Sequence, residues 1–160
     1  MTQRLSRAEA PTHETWRLED LFPTAEGWQS ELDAALADIA TVSVFRGRLA
    51  QGAVVLLECF EATEQLMMRM LRVGTYAYLR FSEDGSSPIN QGMMGRVSSA
   101  QAQIGAAIAF LQPEILALPD GTVERYLQEE PRLAPFGRRL EQILSNKPYV
   151  LSHETEAALA

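Results

Sequence analysis

The segment between Ala53 and Phe81 contains no proline and repeats its apolar residues at the period of an α-helix. A helix of this length is held mainly by packing of its apolar face against other elements. The segment therefore predicts a long helix over 53–82 in a fold built from packed helices. The residues expected on its buried stripe are Leu56, Phe60, Met67, Met70, Gly74, Ala77, Tyr78 and Phe81.

Two further long helices are predicted on either side. Thr24 can cap a helix over 24–46 with Glu26 in its first turn, and Gly47 can end that helix in the left-handed conformation. A third helix is expected over 88–111, until Pro113 interrupts it. The buried stripe of the first comprises Trp28, Leu32, Ala35, Leu36, Ile39 and Val42, and that of the third Met93, Val97, Ala100, Ile104, Ile108 and Leu111.

Beyond Pro113 the predicted helices are shorter. Thr122 can cap one that runs to about Glu129, and a helix starting near Pro131 is expected to end near Asn146. A last helix is capped by Ser152, with Glu154 in its first turn. No segment alternates apolar and polar residues as a strand does, and short loops between long helices favour antiparallel neighbours. The fold class is therefore all-α, an antiparallel long-helix bundle followed by shorter helices, after a flexible leader at residues 1–15.

Composition excludes several classes of function. The 160 residues carry 14 basic and 21 acidic side chains, a net charge of −7, which repels nucleic acid and anionic lipid. Cys59 is the only cysteine, so no internal disulfide can form and a cytoplasmic location is expected. No apolar run reaches the length of a signal-peptide core or a membrane span. Neither nucleic acid nor a membrane is expected as a partner.

No catalytic, cofactor-binding or metal-binding residue is predicted in this chain. A zinc-peptidase helix needs two histidines four residues apart, and Ala157 occupies the second position after His153. His13, with Glu14 beside it, lies in the predicted leader. Cys59 has no histidine nearby in sequence to activate it, and a structural thiol is the favoured interpretation over a nucleophile.

The remaining clusters have bland interpretations. The acidic pairs lack the ligand spacing of a calcium loop, and solvated helix ends or turns explain them. The basic clusters are short and are interpreted as charges at helix C-termini. The methionines are interpreted as core residues, with a peptide-binding surface as the alternative. The acidic pairs are Glu83-Asp84, Glu129-Glu130 and Asp33/Asp38. The basic clusters are Arg46-Gly47-Arg48 and Arg138-Arg139, and the methionines are Met67, Met68, Met70, Met93 and Met94.

Five segments in a fixed order resemble the N-terminal region of oligoendopeptidase F. Together they span residues 16–160, nearly all of the chain that is predicted to be ordered, and their order and spacing are more specific than any one of them. The segments are Trp16-x-Leu18-x-Asp20-Leu-Phe22-Pro, Phe45-Arg-Gly-Arg-Leu49, Tyr76-Ala-Tyr-Leu79 with Asp84 beyond it, Phe110-Leu-Gln-Pro-Glu-Ile-Leu116, and Lys147-Pro-Tyr-Val-Leu-Ser152 with Glu154 and Glu156.

This resemblance implies a cytoplasmic zinc peptidase that cleaves short peptides in a channel enclosed by two largely helical halves. Residues 16–160 would form a wall of that channel. Zinc would be held by an HExxH helix and a further Glu in the downstream catalytic domain, which would be the partner of this chain. No catalytic or metal residue carries over to this chain. Its last predicted helix lacks a stop signal, and we expect the chain to be cut from a longer one.

Two other functions stay open at this point. One is a non-catalytic helical module that binds a peptide or partner helix in a methionine-lined groove. The other is a homo-oligomeric scaffold whose apolar face pairs with itself. Self-association of the isolated chain is compatible with the peptidase interpretation as well, because a wall separated from the other half would expose apolar surface.

Overall fold

The computed structural model describes residues 10, 11, 13 and 15–149. Within these residues the structure is helical and contains no strand, which confirms the predicted all-α class. The α-helices are α1 (Ala25–Ala37), α2 (Ile39–Ser43), α3 (Ala53–Glu83), α4 (Pro88–Ile108), α5 (Leu111–Leu116), α6 (Thr122–Glu129) and α7 (Gly137–Ser145). Short 3-10 helices lie at Leu18–Asp20, Leu49–Gln51, Pro131–Phe136 and Lys147–Tyr149.

The described residues form two compact units, and α3 contributes to both. The first unit contains the described residues up to Ala40 together with Gln65–Ala106, so it is built from α1, the later part of α3 and most of α4. The second contains Thr41–Glu64 and the described residues from Ala107 onward.

In the first unit, α1 lies antiparallel to α3. The buried Trp28 donates its Nε1–H to the carbonyl of Val73 at 2.9 Å. Further along α1, Glu31 and Asp38 both pair with Arg69, at 3.6 and 3.2 Å. Residues later in α1 therefore meet residues earlier in α3, as the sequence predicted for helices joined by short loops.

The α3–α4 hairpin is closed by a buried asparagine. The Nδ2 of Asn90 donates to the carbonyls of Arg80 and Asp84, at 2.8 and 2.9 Å, so it satisfies acceptors that the end of α3 leaves open. Halfway along the hairpin, a Cβ added to Gly74 would lie 3.7 Å from Val97. A Cβ there would make an ordinary van der Waals contact, so α3 and α4 pack closely at this point without requiring a glycine.

The second unit packs short elements around the first part of α3. α5 lies against both α7 and the 3-10 helix Leu49–Gln51, while the 3-10 helix Pro131–Phe136 contacts α6 and α7. The ring of Phe60 in α3 stacks on Phe136 with centroids 5.1 Å apart. Tyr126 of α6 donates its hydroxyl to the carbonyl of Ala50 at 3.0 Å.

Helix boundaries differ from the predictions at several places. The helix expected from near Pro131 begins as the 3-10 helix Pro131–Phe136, and α7 starts only at Gly137. The single helix expected over 24–46 is divided at Asp38, whose ψ of −10° tightens the turn and whose carboxylate pairs with Arg69. The third helix ends at Ile108, and Pro113 does not interrupt a helix. It lies in the first turn of α5, where a missing N–H costs no helical hydrogen bond. Gly121 at φ 77°, and not Thr122, occupies the N-cap of α6.

Other start and stop signals are confirmed. The hydroxyl oxygen of Thr24 accepts from the N–H of Gly27 at 3.1 Å and caps α1. Gly47 takes the predicted left-handed φ of 76°, but α2 already ends at Ser43, so Gly47 lies in the following turn and does not cap the helix. α3 matches the predicted 53–82 within one residue, and α6 and α7 end at the expected positions. The helix expected after Ser152 and most of the predicted leader lie outside the described residues.

The predicted stripe of α3 is partly wrong. Leu56, Phe60, Met70 and Ala77 are buried, but three of its members are exposed. The exposed members are Met67, Tyr78 and Phe81, while Leu36, Ile39, Gly74 and Ile108 of the predicted stripes are half-buried. Beyond Glu64 the buried face of α3 instead runs through Leu66, Met70, Val73 and Ala77.

α3 is long enough to cross a bilayer, but its arginines and glutamates make it too polar for a membrane span. No other helix within the described ranges has the combined length and apolarity of a membrane span.

Candidate functional site

Cys59 lies in the part of α3 that belongs to the second unit. Its side chain is fully buried, which confirms the prediction of a buried thiol. Burial raises the pKa of Cys59 to about 11, although a hydrogen bond with Thr63 opposes this shift. The carboxylate of Glu114 raises the pKa further, and the guanidinium of Arg139 lowers it. A thiol that is protonated at neutral pH and closed to solvent is a poor nucleophile.

The acidic pairs do not converge on a common point. Each carboxylate whose partner is described binds a neighbour in its own turn or unit. Arg80 holds Glu83 at 3.1 Å, and the N–H and hydroxyl of Ser86 both donate to Asp84, which lowers the pKa of that carboxyl. Arg125 and Arg132 bind Glu129 and Glu130 in the same way, and Gln29 and Arg69 bind Asp33 and Asp38. Turn and helix-end positions explain five of these six carboxylates, as predicted, but Asp33 lies inside α1.

The basic clusters are placed differently from each other. Arg46 contacts the carbonyl of Ala107 in the last turn of α4 at 3.5 Å, in agreement with a charge near a helix C-terminus. Arg138 and Arg139, however, lie in the first turn of α7, so the same interpretation is wrong for them. Arg139 lies over the ring of Phe60, 5.1 Å from its centroid, and its function is packing.

The described residues do not fit zinc. No group of three or more His, Cys, Asp and Glu side chains capable of holding a metal ion occurs within the parts of the chain that the structure covers. Cys59 keeps its proton and lies in the packed second unit. His153 and Ala157 lie outside the described residues, so the prediction that this chain has no metal site stays a prediction.

A small cavity of about 230 Å³ opens at the start of α6. The ammonium of Lys147 reaches into this region, where it binds the carboxylate of Asp120 at 2.5 Å and the carbonyl of Leu118 at 3.4 Å. The two charges neutralise each other, and the cavity lies below the 300–1,000 Å³ range that is common for small-molecule sites.

An exposed apolar surface in the first unit lies on α3. Five large apolar side chains face solvent in the part of this helix that belongs to the first unit, although two of them were predicted to be core methionines. Met70 and Met93 are buried as predicted, but Met67 and Met68 are not. We define the α3 outer face as Met67, Met68, Leu71, Tyr78 and Phe81, with exposed fractions of 47, 58, 69, 60 and 38%.

The segments that carry the family resemblance contact one another within each unit. In the first unit, Phe22 meets Tyr76 edge to face at 5.4 Å, and Arg72 binds the carbonyl of Leu21 at 3.2 Å while lying over Phe22. In the second unit, the N–H of Gly47 donates to Glu114 at 2.6 Å. The shared sequence therefore describes the packing of the fold and not a set of converging catalytic groups.

Comparison with known proteins agrees with this resemblance. The family model for the N-terminal part of M3 peptidases, described as Oligopeptidase F, matches residues 114–160. The chain is 34% identical over 154 residues to the oligopeptidase PepF of Bacillus subtilis, and 30% identical over 145 residues to the group B oligopeptidase PepB of Streptococcus agalactiae. These alignments cover 96 and 91% of this chain, but only 23 and 24% of the relatives.

Solved structures extend the likeness to the fold. The crystal structure of oligoendopeptidase-F from Enterococcus faecium superposes with a TM-score of 0.71 at 26% identity, over 85% of this chain and 27% of that one. A chain from Chlamydophila abortus gives a TM-score of 0.83 over 98% of this chain, at 17% identity. The chain is therefore homologous to the N-terminal region of oligopeptidase F, and it spans about a quarter of the length of these relatives.

Proposed function

We propose that this chain is the N-terminal part of a zinc-dependent oligopeptidase that cleaves short peptides, and that it forms one wall of an enclosed substrate channel. One observation carries the proposal. Nearly the whole chain aligns with about a quarter of proteins named as oligopeptidases. The remaining three-quarters of such a protein would supply the catalytic domain and its zinc.

The chemical step then comes from residues outside this chain. Hydrolysis of a peptide bond needs an activated water or nucleophile and groups that stabilise the oxyanion. Cys59 is buried with a pKa of about 11, and the acidic pairs bind their own neighbours. This chain contributes shape, because a wall limits which substrates reach the catalytic groups.

The helices suit such a wall. α4 alone extends for roughly 30 Å at the usual rise per residue, and a turn at residues 84–87 joins it to α3. Asn90 ties that turn to the end of α3, so the hairpin offers little loose backbone to a peptidase or its substrates. The proposal therefore assigns the exclusion of folded proteins to this helical surface.

An exchange experiment tests the proposal. Residues 1–160 would replace the matching segment of Bacillus subtilis PepF, and hydrolysis of a short quenched peptide would be measured for the joined chain. We expect hydrolysis that a zinc chelator abolishes and that a folded protein substrate does not elicit. The isolated chain should be inactive with or without zinc, and PepF lacking the segment serves as the control for the contribution of the wall.

Two results contradict the proposal. Zinc-dependent turnover by the isolated chain that is lost on His153→Ala would place catalysis in this chain. Full, equally selective activity of PepF without the segment would show that no wall is needed. In that second case, titration of the isolated chain with a short disordered peptide would test the alternative of a non-catalytic interaction module.

A further inference from the structure

The α3 outer face continues in register for about four turns. Met67, Leu71, Tyr78 and Phe81 are spaced by four, seven and three residues, which places them on one side of the helix, and Met68 lies at its edge. From Met67 to Phe81 the face is roughly 21 Å long at the usual helical rise. Gly74 lies between Leu71 and Tyr78, and a Cβ added to it would contact Val97 of α4 at 3.7 Å, so this position borders α4.

This face carries no charge. The only charged residues of α3 between Met67 and Ser82 are three arginines, and each is engaged within the first unit. Arg69 pairs with Glu31 and Asp38, Arg72 binds the carbonyl of Leu21, and Arg80 pairs with Glu83. The α3 outer face is therefore an uncharged surface of methionine, leucine and aromatic side chains. The arginines at its border are already bound within the first unit.

An apolar stripe of helical period fits an amphipathic helix. Such a helix places a row of aliphatic side chains along a face of matching period. Peptide substrates of varied sequence fit less well, because they are held through their backbone and their charged ends, and this face offers few polar groups to either. A soluble monomer rarely leaves a contiguous apolar patch of this kind uncovered.

We propose that the α3 outer face is the surface on which this chain packs against the remaining three-quarters of the longer polypeptide, through an amphipathic helix of that part. The proposal rests on the proposed function and names its interface. The occupant follows from length, because relatives that align with nearly all of this chain carry about three times as much polypeptide besides. The channel-facing surface then lies elsewhere on the chain.

Cysteine labelling tests this interface without relying on activity. In a Cys59→Ala background, Leu71→Cys and Tyr78→Cys place single thiols on the face, and Gln65→Cys places one on another side of the same helix. Gln101→Cys on α4 is a second exposed control. The rate of maleimide labelling would be compared between the isolated chain, at high dilution, and the chain joined to the downstream part of Bacillus subtilis PepF.

We expect thiols at positions 71 and 78 to label at least about tenfold more slowly in the joined chain than in the isolated chain, because a covered site is accessible to maleimide less than a tenth of the time. The control positions should label at the same rate in both forms. Equal rates at positions 71 and 78 in both forms would overturn the proposal, as would equal protection of the controls. Protection already present in the isolated chain would assign the face to a second copy or to this chain itself. Protection that needs an added peptide would assign it to substrate.

The same samples separate this proposal from the proposed function. Peptidase activity of the joined chain reports on the function, and labelling reports on the interface. An active joined chain with unprotected thiols would refute the interface alone. Protected thiols in an inactive joined chain would refute the function and leave the packing surface in place.

Discussion

Gly47 shows how one backbone angle holds a long-range contact. Its φ of 76° aims its N–H at the Glu114 carboxylate, and an L side chain in this conformation costs about 1–2 kcal/mol. We expect Gly47→Ala to lower the free energy of unfolding by about that amount in urea denaturation. The matched control is Gly105→Ala inside α4, where a Cβ meets open space and stability should rise by up to about 1 kcal/mol. Equal effects of the two substitutions would contradict this account.

Cys59 predicts a dependence of stability on pH. The folded state disfavours the thiolate. The neutral thiol therefore contributes fully to the free energy of unfolding below the ordinary pKa of 9.0, and this contribution falls as pH rises toward about 11. Relative to Cys59→Ala, the free energy of unfolding of the wild-type chain should fall by about 1 kcal/mol between pH of about 8 and about 10, since one unit of pKa shift corresponds to about 1.4 kcal/mol. Denaturation of both proteins at each pH measures this difference. A constant difference would show that the thiol does not ionise on unfolding in this range.

At the scale of elements, the α3–α4 hairpin depends on one amide. Asn90→Asp replaces a donor to two carbonyls with a carboxylate that repels them, and we expect a loss of about 2–3 kcal/mol in the free energy of unfolding. Gln91→Glu is the control, because exposed Gln91 donates to the carbonyl of Gly85 nearby and solvent can replace it. If both variants unfold at the same urea concentration, the buried amide does not hold the hairpin.

Local chemistry explains which elements were predictable. Thr24 and Gly47 act through their own turns, so the sequence shows their effects directly. The break at Asp38 involves an ion pair with Arg69 on another helix, and no spacing within 24–46 reveals it. Pro113 was misjudged because proline is harmful in a helix interior and harmless in a first turn.

The candidate surface was partly visible in the sequence. The α3 segment carries two apolar arcs, one through Met67 and Tyr78 and another through Val73 and Ala77, and one helix face cannot contain both. Periodicity gives the positions of the arcs but not which of them the protein covers. The environment of Cys59 shows the other limit, because Arg139 reaches it from a distant segment that no local pattern indicates.

For the whole molecule, net charge and apolar surface act against each other. A net charge of −7 keeps copies apart at low ionic strength, while the α3 outer face favours their contact. We expect the isolated chain to associate weakly in sedimentation experiments as salt rises to physiological levels. Leu71→Glu should suppress this association more than Gln65→Glu, which adds the same charge elsewhere on α3. A monomer at every salt concentration would instead favour an autonomous module.

The bare side of α3 also sets a problem of timing during protein synthesis. The 154 matched residues make up 23% of Bacillus subtilis PepF. In a polypeptide of that length, roughly 500 residues remain to be translated after this region. Their translation takes roughly half a minute to two minutes at 5–20 residues per second. Throughout that interval Leu71 and Tyr78 face the cell interior without their partner helix. A nascent chain in this state is a natural client for a ribosome-associated chaperone.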